Sequence, residues 1–377
     1  MAKSALGRAA LLLIVILVAG GYTGSATAQT RAIITIDVES NDRFTLPEQV
    51  VAACPGAPDC GLMGIVRMLQ QHGMSGTFFL NVYEQIKWGE SALRGITAQL
   101  QGGGQDLALH THPQWMYDPQ RPGMNQYSLD EQSAIISEGV RLLRAWTGQP
   151  VVAHRAGDYA ANEDTLEALR RSGIVVDSSY FWGHPHCQLD GLGLPRNLPV
   201  MLGSLVEIPV TIYQRAESPG SGGTLVEPAR RVRKIDVDWF DGVDEAVAAV
   251  DAVKDADLPY LVVFLHSFSF LSHRGGDGSP VADAQAQANF AAILDHLQRR
   301  SIPVVTAREL AAERAEAAPA PRDDTIPDVQ VSVGWPKYLW HRLKATSPVL
   351  LLMLGGGAAI AVVLLFRRVS SRAPSVR

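Results

Sequence analysis

Between residues 30 and 310, short apolar runs alternate with amphipathic ones, and this limits the chain to few architectures. Segments 32–38, 77–81, 106–110, 151–155, 175–177, 205–211, 260–266 and 304–306 read as strands. Segments 62–71, 91–101, 129–147, 162–172, 243–254 and 283–300 have helical periodicity, the fourth with Asn162 as its cap. Strands that alternate with helices imply a parallel sheet, and seven or eight such units can close into a barrel. The expected fold is therefore α/β, a distorted (β/α) barrel of about seven strands. A long loop covers 180–204, and no internal repeat is visible.

Polar residues collect at the C-terminal tips of these strands. Asp37 and Glu39 follow Ala32-Ile33-Ile34-Thr35-Ile36, and His110 and His112 follow Leu107-Ala108-Leu109. Arg155 ends Val151-Val152-Ala153-His154, and His266 ends Leu261-Val262-Val263-Phe264-Leu265. In parallel α/β folds, ligands and catalytic side chains gather at this end of the sheet. Residues two apart on a strand share a face, so each pair converges. Two imidazoles and a carboxylate suit zinc, with cobalt or nickel as alternatives. Arg155 needs a carboxylate or an anionic ligand, and Asp37 is an attractive partner, since a nearby cation would keep it ionised and orient it. Taken singly, each feature has a plainer reading: a solvated strand tip, a surface His pair, or a core His bonded to backbone.

The first 28 residues have the form of a secretory signal. Lys3 and Arg8 precede a short apolar run, and Ala26-Thr27-Ala28 resembles a cleavage site; an uncleaved anchor is the alternative. Residues 348–366 carry no charge and are long enough to span a bilayer. The Arg-rich tail 367–377 then predicts a cytoplasmic C-terminus and an extracytoplasmic main domain, while a processed sorting tail is the weaker reading. Residues 30–310 are expected to form one domain, and 311–334, rich in Ala, Pro, Glu and Asp where it begins, to form a linker. A net charge of −5 with no internal basic run argues against nucleic acid as a partner.

Of three cysteines, Cys54 and Cys60 bracket a turn-rich segment and are expected to pair, leaving Cys187. His184-Pro185-His186-Cys187 matches no standard zinc spacing and reads as a polar loop.

Several segments together resemble a known family, the NodB-homology polysaccharide deacetylases (carbohydrate esterase family four). Thr35-Ile36-Asp37-Val38-Glu39 is similar to the first motif of that family, in a branch with an Asp-x-Glu pattern. Leu109-His110-Thr111-His112-Pro113 stands where the His motif belongs, and His154-Arg155-Ala156-Gly157-Asp158-Tyr159 resembles the Arg motif. Leu205-Val206-Glu207-Ile208-Pro209 and Leu265-His266-Ser267-Phe268 look like the fourth and fifth. The chain departs from the commonest pattern in its Asp-Val-Glu spacing and in having one residue, not three, between the two His. The resemblance implies a divalent metal held by Glu39, His110 and His112, Asp37 as base, His266 as acid and Arg155 orienting Asp37. It also implies removal of N- or O-acetyl groups from a glycan.

Trp115, Tyr117, Tyr180, Phe181 and Trp182 lie in loops just past strand ends and are candidates for stacking on sugar rings. The expected activity is metal-assisted deacetylation of an extracytoplasmic glycan, in a protein tethered to the membrane by its C-terminal helix. Two rivals are a metal-free hydrolase of small cyclic amides on the same fold and a non-catalytic glycan-binding or assembly protein.

Overall fold

The computed structural model describes residues 29–51, 54, 57, 60–219, 229–313 and 323–333. Its strands are β1 (Arg31–Val38), β2 (Thr77–Asn81), β3 (Asp106–Thr111), β4 (Ala153–Ala156), β5 (Val176–Asp177), β6 (Val200–Leu202) and β7 (Leu205–Glu207). They continue with β8 (Ile212–Pro219), β9 (Ala229–Lys234), β10 (Tyr260–His266), β11 (Leu271–Arg274), β12 (Pro280–Ala282) and β13 (Asp328–Val333). Eight of them form one curled sheet in the order β6-β7-β5-β4-β3-β2-β1-β10. All neighbours in it are parallel except β6 and β7, so seven parallel strands carry the fold, as expected.

The strand period of two builds two cores. On β1, Ala32, Ile34, Ile36 and Val38 face the helices and join the large outer core. Ile33, together with Phe79, Ala108, Ala153, Val176, Ile208 and Val262, forms a small inner core. Ala307 and Leu310, from the helix Ala307–Glu313, close it. Asp37, His110, Arg155 and His266 follow in the same alternation, one or two steps above these inner residues. The register puts Asp37 opposite His266 and His110 opposite Arg155.

The helices are α1 (Leu46–Val51), α2 (Leu62–Gln71), α3 (Gln85–Trp88), α4 (Glu90–Gly102), α5 (Leu129–Thr147), α6 (Glu163–Arg171), α7 (Val243–Asp255), α8 (Ala284–Arg299) and α9 (Ala307–Glu313). Each of the longer ones buries one apolar stripe, for example Ile135, Ile136, Leu142 and Leu143 on α5. Ser128 and Asn162 cap α5 and α6 by accepting from the third backbone N–H of each helix.

The barrel closes irregularly between β7 and β10. Beyond β7, Ile208 and Val210 donate backbone bonds to Asp177 and Tyr180, and Pro209 between them has no N–H to give. Ile235 donates to the Thr211 carbonyl and accepts from Phe264 of β10. The Thr211 hydroxyl accepts from Val262 N–H at 2.8 Å.

Three expectations need correction. The strand expected at 304–306 is only a bridge between Val304 and Ala32, because Pro303 cannot donate to a ladder. The linker does not run from 311 to 334: residues 311–313 belong to α9, and Asp328–Val333 is a strand paired in parallel with β8. The polar composition that suggested a linker hides an alternation in which Val329 and Val333 are buried. Within the loop expected at 180–204, residues 200–202 form β6. No helix among the described residues is long and apolar enough to cross a membrane. The expected signal (1–28), span (348–366) and tail (367–377) lie outside the described residues. Cys54 and Cys60 are joined, and Cys187 is free and buried.

Candidate metal and catalytic centre

The strand tips meet at a cleft of about 1060 Å³. Behind its lining, Arg155 is fully buried against the rings of Phe79 and Phe264. It donates from Nη1 to Asp37 Oδ1 at 2.8 Å, and from Nε and Nη2 to the carbonyl and hydroxyl of Ser178 at 2.9 and 3.0 Å. A buried guanidinium so bonded holds the Asp37 carboxylate in one orientation. The second Asp37 oxygen lies 3.7 Å from His110 Nε2.

From their extended two-residue spacing, His110 and His112 both reach Glu39. Glu39 Oε2 lies 3.1 Å from His110 Nε2 and 2.5 Å from His112 Nε2. His110 Nδ1 is 2.9 Å from the Arg155 carbonyl, which can only accept, so Nδ1 carries a proton and Nε2 is the nitrogen turned towards Glu39. The partners around Gln114 require its amide oxygen to accept from His112 Nδ1 at 3.3 Å, which turns His112 Nε2 towards Glu39 in the same way.

This donor set fits a divalent ion. One ligand atom from each of Glu39, His110 and His112 lies within 4.8 Å of the others. His112 Nε2 is buried without a properly directed hydrogen bond, despite its closeness to Glu39. Burial would raise the Glu39 pKa, but His112 and His110 outweigh this and hold it well below the usual range. Burial likewise opposes charge on His112, and Glu39 outweighs it, raising that pKa. A proton on His112 and a metal ion are thus alternatives at one place. Gly157 makes room for the ring: a Cβ there would fall 2.4 Å from His112 Nε2.

His266 stands across the cleft, stacked on Phe268. Its Nε2 is 3.9 Å from Glu39 Oε1, and its Nδ1 is 3.9 Å from Asp238 Oδ2, too far for a hydrogen bond. Burial would lower its pKa, but the Asp238 and Glu39 carboxylates raise it overall. Asp238 is held by the Ser269 hydroxyl at 2.8 Å, and Ser269 also accepts from His266 N–H. Side-chain exposure rises from 0% at Arg155 and 1% at His110 to 15% at Glu39 and His112 and 24% at His266. The centre is therefore most open on the His266 side.

All six expected residues converge. The sequence reading missed Asp236, Asp238, Trp239 and Lys234. Asp236-Val237-Asp238 repeats the acid spacing of Asp37-Val38-Glu39 and precedes a Trp, a signal that was available. Lys234 Nζ lies 3.0 Å from both the Tyr159 hydroxyl and Asp236 Oδ2. Burial pushes the Tyr159 pKa up to about 12, with Lys234 opposing. The segment read as a fourth motif serves a different place: Glu207 is buried beside Asp177, behind the cleft. Of the five aromatics expected near sugar, Phe181 lines the cleft, joined by the unforeseen Trp239. Trp115 packs against the core and Tyr180 is buried with its hydroxyl on the Leu194 carbonyl.

No protein-family model and no curated protein matches this chain. Solved structures do resemble it. One is a Mycobacterium smegmatis protein assigned as a polysaccharide deacetylase, with 19% identity, 81% of this chain and 96% of that chain covered, and a TM-score of 0.48. Another is the family 4 carbohydrate esterase domain of a multidomain xylanase from the hindgut metagenome of Trinervitermes trinervoides, with 14% identity, 78% and 94% coverage and a TM-score of 0.40. A third is a family 4 carbohydrate esterase from Streptomyces lividans in complex with acetate, with 11% identity, 74% and 92% coverage and a TM-score of 0.38.

Proposed function

We propose that this chain removes acetyl groups, from amide or ester linkage, on a glycan outside the cytoplasm. The observation that carries the reading is one cleft holding three separable parts: the Glu39, His110 and His112 donor set, the Arg155-held Asp37, and His266 on the open side. When bound, a divalent ion (zinc, with cobalt or nickel as alternatives) would polarise the acyl carbonyl and lower the pKa of a water. Asp37, oriented by Arg155, takes the proton from the attacking water. His266 gives a proton to the leaving nitrogen or oxygen, and a small approach of Asp238 would steady the ring as its charge changes. Phe181 and Trp239 offer apolar faces for a sugar, and the acidic and imidazole groups between them offer hydrogen bonds.

The Cys54–Cys60 disulfide supports an oxidising compartment, and with it the extracytoplasmic location. Anchoring by 348–366 completes this reading and is tested by protease access in intact cells.

The catalytic test is acetate release from a panel of acetylated glycans. Asp37→Asn is expected to keep the metal and lose turnover, because it removes the base and spares the three donors. His110→Ala is expected to lose both. His266→Ala is expected to keep the metal and to impair amide substrates more than activated esters, whose leaving groups need little protonation. Full activity in both Asp37→Asn and His266→Ala would remove the hydrolytic reading and favour a binding protein. Turnover of small cyclic amides by protein that holds no metal would favour the metal-free rival.

A further inference from the structure

At the rim of the same cleft stands a second donor set, apart from the residues assigned to hydrolysis. Asp158 follows β4, and His184 and His186 come from the loop after β5. His186 Nδ1 meets Asp158 Oδ2, and His184 Nε2 lies 3.8 Å from Asp158 Oδ1. One ligand atom from each of the three falls within 4.8 Å of the others. We propose that Asp158, His184 and His186 form a second transition-metal site, distinct from the Glu39, His110 and His112 centre.

Three observations carry this beyond a chance surface cluster. First, the donors are two imidazoles and one carboxylate. That chemistry selects zinc, cobalt, nickel or copper over magnesium and calcium, which prefer oxygen alone. Second, the loop is held in place before any ion binds. Asn125 Nδ2 donates to the His186 carbonyl at 2.8 Å, Gln188 N–H to Ala161 at 3.0 Å and Gly183 N–H to Asp190 Oδ2 at 3.0 Å. The His184 ring stacks on Phe181 with centroids 5.3 Å apart, which limits its rotation. Third, Asp158 and Tyr159 are consecutive non-glycine residues in the left-handed region, at φ 52° and 54°. This turn sends Tyr159 inward to Lys234 and leaves Asp158 half-exposed beside the two imidazoles. Left-handed backbone is unfavourable for such residues, and an exposed ion pair is a weak restraint to set against it. A bound cation is a stronger one.

The sequence pattern His-Pro-His-Cys concealed the site. Cys187 turns inward, with Sγ 3.7 Å from the Ser179 carbonyl, and Asp158 from the β4 turn takes the third place. An ion there would clamp the loop to that turn and place positive charge at the cleft mouth. The inference stands on the donors alone and does not need the hydrolytic reading.

The test is metal stoichiometry on the full-length protein, stripped with chelator and titrated with cobalt(II), followed by visible absorption and elemental analysis. The parent is expected to bind two equivalents. His184→Ala combined with His186→Ala should bind one and keep the absorption of the inner centre. His110→Ala should bind one and keep that of the rim. Asp158→Asn, conservative and half-exposed, serves as the control for folding and should also weaken only the rim equivalent. If the parent binds one equivalent and the double variant leaves it unchanged, the rim set is an ion pair and the proposal fails. If the parent binds a single equivalent, and both the double variant and His110→Ala lose it, the two sets are one site and the proposal also fails. One equivalent that survives His110→Ala and disappears in the double variant would uphold the rim site and sink the inner one.

Discussion

At the scale of single residues, the centre depends on what lies behind each donor. His110 is aimed by the Arg155 carbonyl, His112 by Gln114, and Asp37 by the Arg155 guanidinium. Gly157 acts by being small. Its φ is not in the left-handed region, so alanine fits the backbone there, but the added Cβ would meet the His112 ring. Gly157→Ala is therefore expected to leave the fold intact and push His112 off its place. A loss of about 10–100-fold in metal affinity is expected, the size seen when groups supporting a ligand are changed. Isothermal titration with zinc measures it, alongside a thermal melt. Unchanged affinity would mean that His112 is not a ligand.

At the scale of elements, β3, β4, β5 and β7 are tied together by a buried polar chain. Thr111 Oγ1 lies 3.0 Å from His154 Nε2, and His154 Nδ1 lies 2.8 Å from Asp177 Oδ1. Glu207 accepts from Tyr180 N–H at 2.9 Å. Asp177 Oδ2 and Glu207 Oε2 have no other partner, so one proton shared between them satisfies both. Burial and the neighbouring Asp177 raise the Glu207 pKa well above its ordinary value. Burial also opposes charge on Asp177, but His154 outweighs it and lowers that pKa. The two carboxyls therefore act on stability in opposite directions. The Glu207 contribution is fully present below its unfolded pKa of about 4.3 and is lost as pH rises towards and through its folded pKa. The Asp177 contribution is present above its unfolded pKa of about 3.9 and is lost as pH falls through its folded pKa. Glu207→Gln keeps the acceptor for Tyr180 and supplies a permanent donor to Asp177. Its melting temperature is expected to fall less than that of the parent as pH rises from about 5 to about 8. Parallel pH profiles for the two proteins would show that Glu207 is ionised in the fold.

At the scale of the whole molecule, the chain returns after α9 to complete the sheet of β9, β8 and β13. Asp324 binds Arg196 through both backbone and side chain, and Arg230 pairs with Asp328. β13 buries Val329 and Val333, each worth about 1.5–3 kcal/mol when fully buried. A chain ended at 322 is expected to melt well below one ended after 333, or to aggregate through the uncovered edge of β8. Differential scanning calorimetry of the two compares them directly. Equal melting temperatures would return this segment to the status of a linker.

How much of this the sequence determined follows from the range of the forces involved. Strand and helix positions were legible because periodicity is local: the apolar alternation of β1 and the stripe of α5 each lie within one element. The six residues assigned to hydrolysis were legible for the same reason: a two-residue spacing gives Asp37 and Glu39, and His110 and His112, a common face, and Arg155 and His266 each end an apolar strand. Pairing across the fold was not. Asp238 reaches His266 because the chain closes the barrel irregularly through Thr211 and Ile235, and no local pattern encodes that closure. The linker reading of 328–333 failed because the partner of that strand lies more than a hundred positions away, at β8. Asp158 joins His184 and His186 only because a left-handed turn and a separate loop meet at the cleft rim. Local chemistry chose the donors, and tertiary packing decided which of them share a site.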